Sequence, residues 1–449
     1  MEAFTAFVIG WVLCQGRHTV SGGLMAARSF GLWPRHHAGF YRLLSRARWS
    51  VDGVGGVLFR LLLRYLPPEI DAAVDDTLCH RSGPQLFGAG MHHDAARSTY
   101  AGGAGRQVSF AFGHNWVVLS VWVPYPWNRA KGLAVPLLFR LYRSKKRCPA
   151  SAYRKRTELA AELVDVLRAL LPEGRTLNLS GDREYGCTAL LSRIGDRVRF
   201  TGALPMDAAL YDPVVTRHAG RGRPRTKGAR LATPRAMARA RNAAWRKITV
   251  PIYGRDVEVL VLSFIATWFS VTGPRPLRIV ITRDPSGRLG DRVFFSTQAK
   301  DSAHAVLVRY ARRWSLEVTF AAAKQRLGLE EPRNGWWRRP HGRRRPFQKA
   351  GPESQGDRGR KAVERTVPLV LLTYGLVLVW YLAHGEPTKD VARARRARPW
   401  DTEKREPAYA DMLAALRREL WTARIFAEAP RKAPLAKFRF LLPILSAAA

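Results

Sequence analysis

Acidic residues are scarce: 35 Asp and Glu stand against 75 Lys and Arg, a formal charge of +40 over 449 residues. A chain this charged repels itself in a compact fold unless a polyanion neutralises part of it, which makes nucleic acid the leading partner. Arginine excess also follows codon usage, so charge selects a class of partner and no reaction. Cysteine is scarcer still. Cys14, Cys79, Cys148 and Cys187 lie far apart with no C-x-x-C pair, which leaves neither a zinc site nor a disulfide framework and suits a reducing cytoplasm. The opening apolar stretch carries Glu2 where a signal peptide would be positive, so export is not expected. No uninterrupted apolar run reaches the roughly 20 residues a bilayer requires. The longest, Val367 to Ala383, is broken by Thr373 and Tyr374 and reads as a buried core helix. A membrane-associated basic protein is therefore the weaker reading.

What the chain does have is core material, with 47% apolar and 10% aromatic residues. Residues 1–66 read as short helices broken at Gly16, Gly31 to Pro34 and Gly53 to Gly56, a region suited to DNA binding or to capping the next domain. From residue 67 the pattern turns to strands: IDAAVDDTLCH, QVSFAFGHNWVVLSVWVP and LAVPLLFRLYR. A helix from Tyr153 to Leu171 follows, then the strand TLNLSGD, a short helix from Tyr185 to Arg193 and the strand VRFTGAL. Three strands, helix, strand, helix, strand is a mixed α/β order over residues 67–204. Residues 205–300, with KITVPIYG, VEVLVLSF, LRIVITRD and RVFFSTQ, suggest a β-rich insertion subdomain. Helical periodicity resumes over 301–335, a basic polar loop occupies 336–362, and a helical region fills 363–449.

The chemistry centres on the helix YARRWSLEVTFAAAK. Advancing about 100° per residue, Tyr310, Arg313, Glu317 and Lys324 fall within about 60° of one another. Leu316, Phe320, Ala323 and Leu327 form an apolar face beside them. Arg313 and Glu317 alone would be an ordinary i,i+4 ion pair, worth about 0.3–0.5 kcal/mol; that leaves Tyr310 and Lys324 unexplained. Two aspartates end buried strands: Asp76 in AAVDDT and Asp182 in TLNLSGD. Carboxylates at a sheet edge, joined by one from a helix, hold hard cations through oxygen, and a pair of such ions supports phosphodiester cleavage and strand transfer. Alone, Asp76 would cap a turn and Asp182 would N-cap the helix after it. Asp75 is the alternative to Asp76, but in an extended strand it points to the opposite face.

The order Tyr310, two residues, Arg313, three residues, Glu317, six residues, Lys324 resembles the YREK signature of DDE transposases from bacterial insertion sequences of the IS-four-type superfamily. Composition gives about 0.03 such matches by chance. VDDT around Asp76 and GDRE at Asp182 are similar to the first and second catalytic blocks, in the family's order. The resemblance spans roughly residues 70 to 330. It implies an RNase H-like mixed sheet flanked by helices, interrupted by a β-rich insertion between Asp182 and Glu317. It further implies that Asp76, Asp182 and Glu317 bind two Mg²⁺ ions, for which Mn²⁺ can substitute, and that Tyr310, Arg313 and Lys324 contact DNA phosphates. The implied partners are double-stranded DNA, namely terminal inverted repeats and target DNA, with a homodimer pairing two ends in the bacterial cytoplasm, at the nucleoid. Cut-and-paste through a hairpin intermediate comes with the resemblance, as does a flipped base stacked on an insertion tryptophan, Trp245 or Trp268. GDRE departs from the pattern where it continues into Tyr185 and Gly186. Arg183 and Glu184 could orient Asp182 or be exposed charges. His36, His37, His92, His93 and His114 lack partners at metal-ligand spacing. Basic runs at 221–230 and 338–346 suit phosphate neutralisation without base reading. The competing function is a transposase-derived DNA-binding protein without catalysis.

Overall fold

The structure is a computed structural model that describes residues 2–32, 36–83, 86–100, 106–215, 225–332 and 356–428. Four helices open the chain: α1 (Glu2–Leu13), α2 (Val20–Ser29), α3 (Ala38–Ser45) and α4 (Val51–Leu62). Next come β1 (Glu69–His80), β2 (Gly90–His93), the short pair β3 (Thr99–Tyr100) and β4 (Arg106–Gln107), and the long β5 (Phe110–Tyr125) and β6 (Asn128–Tyr142). Helix α5 (Arg156–Leu170), β7 (Thr176–Gly181), α6 (Thr188–Leu191) and β8 (Val198–Leu204) complete the first part. The middle holds α7 (Pro234–Arg239), β9 (Arg246–Ile252), β10 (Arg255–Thr267), α8 (Phe269–Thr272), β11 (Pro276–Arg283) and β12 (Arg292–Ser296). Helices α9 (Ala303–Arg326), α10 (Asp357–His384), α11 (Pro387–Ala397) and α12 (Tyr409–Glu428) follow.

β5 pairs antiparallel with both β1 and β6, and β1, β7 and β8 run parallel side by side. The resulting order β6-β5-β1-β7-β8, with α5 joining β6 to β7, is the RNase H-like arrangement expected. The strands of the 205–300 segment do not form a sheet of their own. β12 pairs antiparallel with β8, and β11, β10 and β9 continue outward, so the core sheet grows to ten strands. Pairing between residues some 90 apart, such as Val293 with Leu204, leaves no local sequence signal.

The long apolar runs of β5 and β6 are buried on both faces because helices cover them. Helices α4, α5, α9 and α10 all touch β6. Gly55 permits the approach of α4, since a Cβ there would lie 2.1 Å from the Leu137 carbonyl oxygen. Helix α10 is long and apolar enough to cross a membrane, yet 72% of its most apolar stretch is buried against the rest of the chain. It begins at Asp357, within the span expected to be a basic loop; residues 336–355 of that span lie outside the described residues. The helix expected from Tyr185 to Arg193 shrinks to α6 because a turn occupies 182–187. Helix α11 carried too few apolar residues to be foreseen.

Candidate active site at the ends of two parallel strands

Helix α9 docks on β1 through charge. Odd-numbered acids of β1 face it: Glu69 pairs with Arg309 at 3.3 Å, Asp71 with Arg312, and Asp75 with Arg313. The alternation of a strand puts these three on one face. Ser180 of β7 donates its hydroxyl to the Arg309 carbonyl at 3.2 Å, so the neighbouring strand turns its even positions to the same helix. The apolar stripe behaves as its spacing requires, with Leu316, Phe320, Ala323 and Leu327 all buried. Arg313 also reaches Glu317 at 3.0 Å and lies over the Tyr310 ring, which packs on Phe294 at 4.6 Å. Burial pushes the Asp75 carboxyl up to about 7 against the attraction of Arg313, with Asp76 and Asp182 adding repulsion.

Asp76 is the β1 acid that α9 does not use, and it faces the other way. Its Oδ2 accepts from Asn115 Nδ2 at 2.8 Å and from Arg156 Nη1 at 3.2 Å, and its Oδ1 accepts from the Tyr185 hydroxyl at 3.4 Å. Arg156, the first residue of α5, forks onto Glu184 at 2.9 and 2.7 Å. Burial opposes its charge, but Asp76 and Glu184 hold its pKa above the ordinary value. Burial raises Glu184 against Arg156, with Asp76 adding to the rise. Glu184 therefore answers Arg156 rather than orienting Asp182.

Parallel pairing of β1 with β7 in the register Val74 to Gly181 brings Asp75 and Asp76 alongside Asp182 at the level where β7 ends, while β1 runs on to His80 against β5. Asp182 Oδ1 accepts from the backbone amides of Glu184 and Tyr185 at 2.9 and 3.3 Å, closing the turn that ends β7. Lys324 donates to the Leu78 carbonyl at 2.8 Å and pairs with Glu330 at 3.1 Å; Glu330 also meets His80, whose other ring nitrogen pairs with Asp94 at 2.8 Å. Thus the structure gathers Asp75, Arg313, Glu317 and Tyr310 on the α9 side. It gathers Asp76, Asn115, Arg156, Glu184 and Tyr185 on the α5 side, with Asp182 at the strand end between them.

The oxygen donors suit a hard divalent cation: carboxylates at one sheet end, Asp76 and Asp182 partly open to solvent and Glu317 more so. Asn115 Oδ1, buried beside Asp76 without a hydrogen-bond partner, is an acceptor for a water on such an ion. As they stand, however, no three acidic, histidine or cysteine side chains among the described residues are close enough to share one. Arg313 and Arg156 occupy the acids instead.

Trp245 lies under Arg283 and Trp268 packs edge-on to Phe295, both half-buried. His114 and His92 are buried, and His36 packs tilted against His37 at 4.1 Å. The basic run 338–346 and residues 221–224 lie outside the described residues. A cavity of about 350 Å³, lined by Asp52, Trp116, Arg140 and Glu364, contains none of the acids at the sheet end. Asn115 and Arg156 were missed by sequence reasoning. Asn115 left one trace, a polar residue inside an apolar strand, whereas Arg156 left none in the run YRKRTE.

Among solved structures, the chain is similar to a piggyBac transposase in a cryo-EM synaptic complex with hairpin DNA. The TM-score is 0.40 at 10% identity, covering 99% of this chain and 75% of that one. No curated protein matches. The family model described as DDE superfamily endonuclease matches residues 1–256, taking in β1 with Asp75 and Asp76 and the end of β7 with Asp182, and stopping before α9. That match spans more than half of the sequence, and the chain belongs to the DDE superfamily endonucleases.

Proposed function

We propose that this endonuclease is a transposase of the IS-four-type superfamily, bearing the YREK signature, that binds the terminal inverted repeats of its own insertion sequence and cuts and joins DNA. The observation that supports the reading is the parallel register of β1 and β7, in which Val74 pairs with Gly181, so that Asp75 comes level with Asp182 and Asp76 follows one residue on, in the part of the chain that matches the family. Asp76 is preferred to Asp75 because it directly precedes Thr77, as the aspartate of the first catalytic block it resembles precedes a threonine.

In this reading Asp76, Asp182 and Glu317 hold two Mg²⁺ ions, which supply activation of a water or 3′-hydroxyl and stabilisation of the leaving oxygen. For Glu317 to join the aspartates it must leave Arg313, and Asp75 keeps the guanidinium when it does. Tyr310, Arg313 and Lys324 then face phosphates, where arginine offers a fork, lysine a point charge and tyrosine a hydrogen bond. Lys324 reaches a phosphate by exchanging Glu330 for it. The net charge of +40 favours the DNA complex, and two copies pair two ends at the nucleoid, with a hairpin intermediate in excision.

The test uses DNA carrying the repeats that flank the coding region, with Mg²⁺. Wild-type protein is expected to cut at the repeat ends. Asp76→Asn, Asp182→Asn and Glu317→Gln are each expected to bind the same DNA and lose cleavage by at least about two orders of magnitude. Cleavage left intact in any of the three, with folding unharmed, overturns the assignment. A chain that shifts the DNA without cutting it in wild-type form is the DNA-binding relative without catalysis.

A further inference from the structure

Resting on the reading that Asp76 is an ion ligand, we infer that Arg156 is a resident counter-charge displaced from Asp76 when a divalent ion binds, and that Glu184 is the acid that retains it. The contacts of Arg156 are unequal. Glu184 receives a two-pronged fork at 2.9 and 2.7 Å, whereas Asp76 receives one bond at 3.2 Å. Two-pronged guanidinium–carboxylate pairs are the stronger and better oriented kind. Giving up the single bond leaves the fork whole, so the guanidinium has somewhere to stay while Asp76 is freed.

The neighbours sharpen the point. Tyr142 lies under the Arg156 guanidinium at 5.7 Å, a cation–π contact that keeps the side chain over the site after Asp76 lets go. Without Arg156, Asp76 would stand among Asp75, Asp182 and Glu184 with, among the described residues, Asn115 and Tyr185 to donate to it. Four carboxyls at one sheet end repel one another, and a cation of some kind is needed there whether or not an ion is present. Arg156 fills that need in the ion-free chain, and its position on the first turn of α5 fixes it there. Arg156 and Glu184 are in this account positioning residues, acting on ion affinity through Asp76.

The experiment is Mn²⁺ binding to the full chain without DNA, followed by electron paramagnetic resonance, with thermal unfolding of every variant as the folding check. Arg156→Gln is expected to tighten Mn²⁺ binding at least about threefold. Arg154→Gln, an exposed arginine that among the described residues donates to the carbonyls of Ser151 and Tyr153, controls for the mere loss of a positive charge and is expected to change it by less than about 1.5-fold. Glu184→Gln is expected to weaken binding in the wild-type background and to have no effect in the Arg156→Gln background, because Glu184 acts through the arginine. Should Arg156→Gln not fold, Arg156→Met keeps the stem over Tyr142 and carries the same expectation. Equal affinities for the Arg156 and Arg154 variants overturn the inference. So does an equal loss from Glu184→Gln in both backgrounds, which would make Glu184 an ion ligand itself. Mn²⁺ binding untouched by Asp76→Asn overturns the underlying reading instead, so the two failures are told apart.

Discussion

Asp75 and Arg313 are both largely buried, with side-chain exposures of 13% and 14%, and each is the other's main partner. Removing Asp75 leaves the buried Arg313 guanidinium to the more exposed Glu317, a weaker compensation for a buried charge. Asp75→Ala is therefore expected to cost about 3–5 kcal/mol of unfolding free energy, read by urea denaturation; a loss below about 1 kcal/mol would mean α9 does not dock through this pair. His114 supplies a pH dependence. It is 1% exposed, shares Nε2 with the Phe87 carbonyl at 2.9 Å, and burial together with Arg81 lowers its pKa to about 3. The unfolded chain takes up that proton near pH 6.5 and the folded chain only near 3, so stability is complete above about 6.5 and is lost as pH falls through the window, at up to about 1.4 kcal/mol per unit. His114→Gln is expected to flatten this acid slope by up to one proton, measured by unfolding across pH 4 to 7; an unchanged slope contradicts it. At this scale the sequence was legible where a strand's alternation applies. Asp75 and Asp76 had to face apart, and they do. The partners of Asp76 were not legible, because Asn115 and Arg156 lie 39 and 80 residues away and meet it only through the sheet.

Elements follow the same division. The strands at the heart of the sheet announced themselves as apolar runs, and Ser302 caps α9 where periodicity resumes, its hydroxyl accepting from the Ala305 amide. What periodicity could not supply was which edge the 205–300 strands would join, since hydrogen-bonding edges carry no side-chain signature. Nor could it supply the pairing of acids at 69, 71 and 75 with arginines on α9, although both halves of that ladder are periodic in their own segments. The close approach of α4 to β6 gives the test at this scale. Gly55→Ala puts a methyl group 2.1 Å from the Leu137 carbonyl oxygen, a backbone atom that cannot swing aside. Overpacking of this kind costs about 1–3 kcal/mol, so a drop of several degrees in melting temperature is expected; an unchanged melting temperature would mean that α4 sits farther from the sheet.

For the whole molecule, charge was the plainest message of the sequence, and the sheet explains how so basic a chain tolerates its acids. Many of them are spent on internal arginines, leaving the remaining cations for a polyanion. DNA affinity is therefore expected to fall steeply with salt, with a slope of log affinity against log salt beyond about −4, each phosphate neutralised contributing about −0.9. A slope near zero, measured by fluorescence anisotropy, would remove the electrostatic basis for DNA as partner. The order of strands and helices in the core was readable from the pattern; the convergence of Asp76, Asp182 and Glu317 that the family resemblance implies is not formed among the described residues, where Arg156 holds Asp76 and Arg313 holds Glu317. Replacing Mg²⁺ with Fe²⁺ in the complex with repeat-end DNA and generating hydroxyl radicals at the bound metal tests that union directly. Backbone scission is expected near residues 76, 182 and 317 together, suppressed by excess Mg²⁺; scission that spares any one of the three neighbourhoods would contradict a shared metal site.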